Sequence, residues 1–265
     1  MIDIHAHILP GLDDGAQDLE TSLQMARIAA ADDISQIIAT PHVISTVFPN
    51  SREQILEAAN QLRQALQQQK IPLELFPGGE YRLEADLPKR LQKGEILTLN
   101  DGGKYLLVEL PNNVLPPFFE EVIYDIQLQG VTPIIAHPER NQVIMEKPKI
   151  LKQLTDRGIL AQITAASVIG DFGKEIKKSS WQLIKQGSIH FIASDAHYHS
   201  GKRSPKLSEA YAEIKKQAGE QTAQNLFIEN TGRVINGLAP IKASDPPPNR
   251  GWSQKIKTLG KFGRK

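Results

Sequence analysis

The chain has 265 residues, with 31 basic and 30 acidic side chains, seven histidines and no cysteine. That length suits one α/β barrel. The missing thiols exclude disulfides, thiolate zinc sites and cysteine nucleophiles, so any metal must be held by nitrogen and oxygen donors.

No apolar run reaches the roughly 18 residues of a membrane span, and functional residues from position 5 onward leave no room for a signal peptide. A cytoplasmic location is expected. The six basic side chains after Asp245 meet no acid there, which leaves 25 basic against 30 acidic residues up to that point. A body of that charge disfavours a nucleic-acid partner.

Met1-Ile-Asp-Ile-His-Ala-His7 opens with an apolar/polar alternation that predicts a strand over 1–8 with Asp3, His5 and His7 on one face. Two imidazoles on one face can converge on a metal ion at the strand's end. A helix near 19–32 leads to a strand over 36–42 ending in Thr40-Pro41-His42. Ser51 and Gln54 have capping-box spacing, and Ile55, Ala59, Leu62 and Leu66 recur on one face, which predicts a helix over 52–69.

The strand over 74–81 ends in Gly78-Gly79-Glu80, that over 105–110 in Val108-Glu109, and that over 132–137 runs into His137-Pro-Glu-Arg140. Helices are expected near 118–129 and 148–157. A strand over 160–166 ends without a ligand, and a helix near 174–186 leads to a strand over 189–194 that ends in Ser194-Asp195-Ala196-His197. Helices near 206–218 and 221–228 complete a domain spanning 1–239. Pro240 and Pro246-Pro247-Pro248 then read as an extended linker to a basic tail.

Seven strands separated by helices predict a closed or nearly closed parallel barrel, whose site lies at the C-terminal strand ends. Five of the seven histidines fall at those ends and none inside a helix. Taken singly, each has an ordinary explanation: a hydrogen-bonded histidine, a turn-capping Glu80 or Glu109, a helix cap at Asp195. Taken together they point to one metal centre, because a barrel gathers the strand ends on one rim and converging carboxylates need cations. Asp13 and Asp3 are read as supports behind the ligands, His190 as structural, and Tyr81 and Phe48 as either mouth-lining or packed side chains.

At the level of motifs the chain resembles the polymerase-and-histidinol-phosphatase (PHP) superfamily, and within it the bacterial capsule and exopolysaccharide tyrosine phosphatases of the CpsB/YwqE type. The resemblance runs from residue 1 to about 237, on Met1–His7, Asp13-Asp14-Gly15, Ala39-Thr-Pro-His42, Gly79-Glu80-Tyr81, Glu95–Asp101, Ala136–Arg140 and Ala193–His197. It implies a distorted (βα)7 barrel of the PHP type holding three divalent ions, most often Mn2+, with Fe, Co or Zn as alternatives. One ion would take His5, His7, Glu80 and Asp195; a second Glu80, Glu109 and His137; the third Asp14, His42 and His197. Glu109 and Asp14 favour the tyrosine-phosphatase branch over the histidinol-phosphate one.

The implied partner is a tyrosine-phosphorylated protein, by family analogy a bacterial tyrosine kinase of polysaccharide assembly. The implied chemistry needs no covalent nucleophile, since water between two cations can be hydroxide near neutral pH and attack phosphorus in line. Arg140 is expected to fork onto the phosphate rather than only to form a rim salt bridge with Glu139, and Arg203, whose match to a second family arginine is looser, is expected to do the same.

Three alternatives stand beside this reading. One is a small-molecule phosphatase of the same superfamily acting on histidinol phosphate or a nucleotide. A second is an amidohydrolase barrel, disfavoured by the lack of a histidine on the sixth strand. The third is a metal-binding module without turnover. In the tail, Trp252, Ile256, Leu259 and Phe262 share a helical face among basic residues, which suggests contact with an anionic membrane, against a solvated, disordered tail.

Overall fold

Short apolar strands alternate with longer amphipathic helices in the computed structural model, which describes residues 1–241. The proline run and the Trp252–Phe262 pattern therefore lie outside the described residues. The strands are β1 (Ile2–Ala6), β2 (Gln36–Ala39), β3 (His42–Val43), β4 (Glu74–Pro77), β5 (Glu80–Arg82), β6 (Tyr105–Glu109), β7 (Thr132–Ala136), β8 (Leu160–Thr164) and β9 (Phe191–Ala193). They form two parallel ladders, β1-β2-β4 and β3-β5-β6-β7-β8-β9.

The strands expected over 36–42 and 74–81 each break in two. Pro41 has no N–H for the ladder, and at Gly79 a Cβ would come within 2.7 Å of the Tyr81 ring. The halves stay aligned because the Glu80 amide donates to the Pro41 carbonyl at 3.0 Å. Past β9, the Asp195 amide donates to the His5 carbonyl and the His7 amide to that of Ala196, each at 2.8 Å, which closes the ring. Seven strand positions result, the distorted (βα)7 barrel that was expected.

Outside the ring run α1 (Leu19–Ala31), α2 (Arg52–Gln68), α3 (Leu87–Gln92), α4 (Phe119–Leu128), α5 (Gln142–Glu146), α6 (Lys149–Asp156), α7 (Ala165–Ile169), α8 (Lys174–Lys185), α9 (Ser208–Ala218), α10 (Glu220–Gln224) and α11 (Asn230–Ile235). Asp18 caps α1 by accepting from the Thr21 amide at 2.8 Å. Ser51 and Gln54 form the expected reciprocal box at α2. The helix expected over 221–228 instead continues to Ile235 through a π-turn at Asn225–Glu229. Helices α3, α5 and α7 were not anticipated, because five or six residues are too few to display a period.

Strand pleating sorts the core. Leu107, Ile134, Phe191 and Ala193 pack with Ile4 and Ile38 inside the ring, whereas Leu106, Val108, Ile135 and Ile192 pack outward against the helices. The inward set continues upward as Glu109 on β6, Gln162 and Thr164 on β8, and Asp195 beyond β9. One pleat thus supplies an apolar floor and a polar rim.

Candidate metal centre

All nine expected ligand positions meet at this rim, eight of them drawn in among buried neighbours and Asp14 standing at the solvent edge. On β1 the strict alternation fails. The ladder register shifts between Asp3 and Ala6, so Asp3 does not follow His5 and His7 inward. Its carboxylate accepts from the His5 amide at 3.2 Å, the Ser194 amide at 3.0 Å and the Ser194 hydroxyl, tying β1 to the chain beyond β9.

His5 and His7 face each other. The Gln162 side-chain oxygen lies 2.9 Å from His5 Nδ1, and Asp13 Oδ2 lies 2.6 Å from His7 Nδ1. Both partners accept, so in the neutral rings both Nε2 atoms present lone pairs, 3.1 Å apart. Two nitrogens held about 2.1 Å from one ion at 90–110° are themselves roughly 3.0–3.4 Å apart. Glu80 Oε2 lies 3.3 and 3.4 Å from the two Nε2 atoms, and Asp195 Oδ1 lies 3.5 and 3.4 Å from them.

Electrostatics tell the same story. Burial disfavours charge on both rings, yet Glu80 and Asp195 hold His5 above its ordinary pKa, and Asp13 above all holds His7 well above. Burial likewise opposes ionised Glu80 and Asp195. The histidines around Glu80, and Arg140 with His5 beside Asp195, nevertheless keep both carboxyls well below the usual range. This field calls for positive charge. Glu80 Oε2 and His42 Nδ1 are buried 2.9 Å apart without hydrogen-bond geometry, the relation of two donors to one cation. A donor set of imidazoles and carboxylates fits divalent ions of the first transition row.

Around that pair, His137 Nε2 lies 2.9 Å from Glu80 Oε1 and 3.9 Å from Glu109 Oε1, while His42, Glu80 and Glu109 form a second close grouping. His7, Asp14, His42 and His197 form a third. Burial, with His7 nearby, pushes His197 down to about 4, so its ring is neutral at pH 7. A hydrogen bond with His197 lowers the Asp14 carboxyl. His137 and Asp195 adopt left-handed backbone, φ 33° and 52°, a strain of order 1–3 kcal/mol of the kind found at functional sites.

Both expected arginines reach the centre. Arg140 Nη2 binds Asp195 and the Thr164 hydroxyl, with its guanidinium 5.0 Å above the Phe172 ring. Arg203 Nη2 lies 3.3 Å from Asp195 Oδ1 and 2.7 Å from His197 Nε2. Other expectations resolve individually. Asp13 supports from behind, holding His7 and accepting from the His42 and Gly15 amides at 2.8 and 2.9 Å. Gly15 is needed there, since a Cβ would meet the His7 carbonyl at 2.2 Å.

Tyr81 is packed in the core, its hydroxyl accepting from the Leu97 amide at 2.7 Å and its phenol pushed up to about 12 by burial. Phe48 stacks on His42 with ring centroids 5.8 Å apart. His190 lies at the far end of the barrel, where its ring accepts from the Ala161 amide. Sequence reasoning missed Gln162, Ser194, Thr164 and Arg82, whose Nε donates to Glu109 at 2.9 Å. Gln162 and Thr164 had a legible signal, being polar residues on an otherwise apolar strand.

A parallel βα barrel with histidines and carboxylates converging at its C-terminal rim defines a candidate metal-dependent hydrolase. The chain belongs to the CpsB/CapC family of capsular polysaccharide synthesis, whose family pattern matches residues 1–236. It is 44% identical over 250 residues to the tyrosine-protein phosphatase YwqE of Bacillus subtilis, covering 94% of this chain and 97% of that protein. With the putative tyrosine-protein phosphatase CapC of Staphylococcus aureus it shares 38% identity, covering 96% and 98%. Among solved structures it superposes with TM-score 0.87 and 40% identity on one from a study of YwqE and of CpsB from Streptococcus pneumoniae, described as metal-dependent tyrosine phosphatases. That match covers 93% of this chain and 98% of the other.

Proposed function

We propose that this chain is a metal-dependent phosphatase that removes phosphate from phosphotyrosine in protein. The observation that carries the reading is the facing pair His5 and His7, wedged between Glu80 and Asp195 with two arginines at the edge. We assign one divalent ion to His5, His7, Glu80 and Asp195, a second to Glu80, Glu109 and His137, and a third to Asp14, His42 and His197. Mn2+ is the leading candidate. When bound, such ions neutralise phosphoryl oxygens and acidify water for attack on phosphorus.

The chain's own residues do the rest. Gln162 and Asp13 hold the His5 and His7 rings so that Nε2 points inward. Arg82 holds Glu109. Arg140 stands at the edge, held through Nη2 by Asp195 and with Nε 3.9 Å from Glu139, and is assigned to fork onto the substrate's phosphoryl oxygens. Arg203 lies 2.7 Å from His197 Nε2, the nitrogen that would hold an ion, and is assigned as the second arginine to contact the same group.

The family supports a role in capsular polysaccharide synthesis; we assign a bacterial tyrosine kinase of polysaccharide assembly as the phosphoprotein partner and the cytoplasm as location. No helix among the described residues is long and apolar enough to cross a membrane. The basic tail is assigned peripheral contact with the anionic inner membrane, tested by flotation with anionic vesicles before and after truncation following Ile241.

The deciding experiment is turnover of a substrate panel after reconstitution with Mn, Fe, Co, Zn or Mg. Preference for a phosphotyrosine peptide over histidinol phosphate is expected. The opposite preference would replace this reading, and a fully metallated protein without turnover would make the chain a binding module.

A further inference from the structure

A cleft of about 740 Å3 opens beside the centre between the turn at Gly170–Gly173 and that at Gly201–Arg203. Its charged lining is three cations, Arg140, Lys202 and Arg203, against one carboxylate, Asp171. That balance inverts the chain up to Asp245, where acids outnumber bases 30 to 25. The two arginines are committed to Asp195 through Nη2, and Arg140 Nε also faces the buried Glu139 carboxylate at 3.9 Å. Lys202 is committed to no carboxylate among the described residues. Its Nζ donates to the Asp171 backbone carbonyl at 2.7 Å, which leaves its charge without a carboxylate partner.

An exposed ammonium without a carboxylate partner, in a cleft lined by three cations and one carboxylate, calls for an anion. The scissile phosphoryl group belongs at the metals, within reach of the arginines. Lys202, which touches none of the centre's residues and bonds instead to the Asp171 carbonyl, is left for a different negative charge.

We propose that this cleft is a second anion subsite, in which Lys202 reads a negatively charged side chain neighbouring the phosphotyrosine under attack. The inference rests on the phosphotyrosine reading and names a substrate class within it, peptides with an anionic flank. A carboxylate and a second phosphoryl group offer the same chemistry.

The test uses full-length, metal-reconstituted protein and phosphotyrosyl peptides of one length carrying neutral flanks, glutamate flanks or a second phosphotyrosine, with p-nitrophenyl phosphate as reference. Wild type should favour the anionic peptides roughly 3- to 10-fold in kcat/KM, through KM, with the advantage fading at about 0.5 M NaCl. Lys202→Gln keeps a donor for the Asp171 carbonyl and should bring the ratio near unity. Lys202→Arg should retain the preference, and all three proteins should turn over p-nitrophenyl phosphate alike.

A larger gain from the second phosphotyrosine assigns the subsite to phosphoryl groups, and an equal gain assigns it to charge alone. The same ratios, read as peptide Kd by fluorescence anisotropy, make the test independent of turnover. Absent hydrolysis of any phosphotyrosine peptide removes the function proposed above. No preference in wild type, or an unchanged preference in Lys202→Gln, overturns the subsite.

Discussion

His5 and His7 bring their Nε2 atoms to 3.1 Å, and Gln162 and Asp13 hold the opposite nitrogen of each ring. The pair is aimed from behind. Removing an aiming residue should therefore weaken metal binding without unfolding the barrel. Gln162→Leu keeps the volume and deletes the acceptor, and should lower metal affinity about 10- to 100-fold in a competition titration, with Tm little changed. Gln162→Glu, which still accepts, should recover much of it. Wild-type affinity in the leucine variant would show that the contact does not orient the ring.

Glu80 lies within 3.4 Å of His5, His7, His42 and His137. A carboxylate shared so widely should matter more than an end ligand. Glu80→Ala is expected to lose at least about 100-fold in kcat and more bound metal than His42→Ala. Full manganese content and near-normal kcat in Glu80→Ala would contradict a bridging role.

Arg140 touches Asp195 through Nη2 but contributes no donor atom to a metal. Arg140→Ala should cut kcat/KM by something between about 10- and 1,000-fold and lose less metal than Glu80→Ala. An equal loss in Arg140→Lys would show that the planar fork, rather than charge, is required. Unchanged kinetics in both variants would take Arg140 out of the reaction.

His190, far from the centre, gives the fold a pH dependence of its own. Burial, with Lys152 nearby, lowers its pKa from 6.5 to about 4. As pH falls below 6.5 the unfolded chain takes up this proton while the folded chain refuses it until about 4, so stability falls across that window and levels below it. The loss is at most about 3 kcal/mol. His190→Asn keeps an acceptor for the Ala161 amide, and its stability, measured by urea unfolding between pH 7 and 4, should fall less steeply than wild type. Parallel curves would dismiss this histidine as the cause.

Much of the centre could be read from the chain alone because strand ends are local features. A parallel barrel turns a one-dimensional position, the residue closing an apolar run, into a shared place in space. His5, His42, Glu80, Glu109, His137 and Asp195 were legible for that reason, as was the box at Ser51 and Gln54 that starts α2.

What the chain alone could not decide is whatever depends on a neighbour distant in sequence. The strict alternation at Asp3, His5 and His7 predicted one face. The shift in β1 pairing, with Ser194 waiting 191 residues away for the Asp3 carboxylate, sent Asp3 elsewhere. Gln162 shows only as a polar residue on an apolar strand, with no role, until the ring closes and sets its side-chain oxygen 2.9 Å from His5. Likewise Pro41 and Gly78-Gly79 mark breaks in a strand, but only the Glu80 amide bonded to the Pro41 carbonyl shows that both halves keep one place in the barrel. Periodicity along the chain therefore set which residues can face the rim, and hydrogen bonding between distant strands set which of them do.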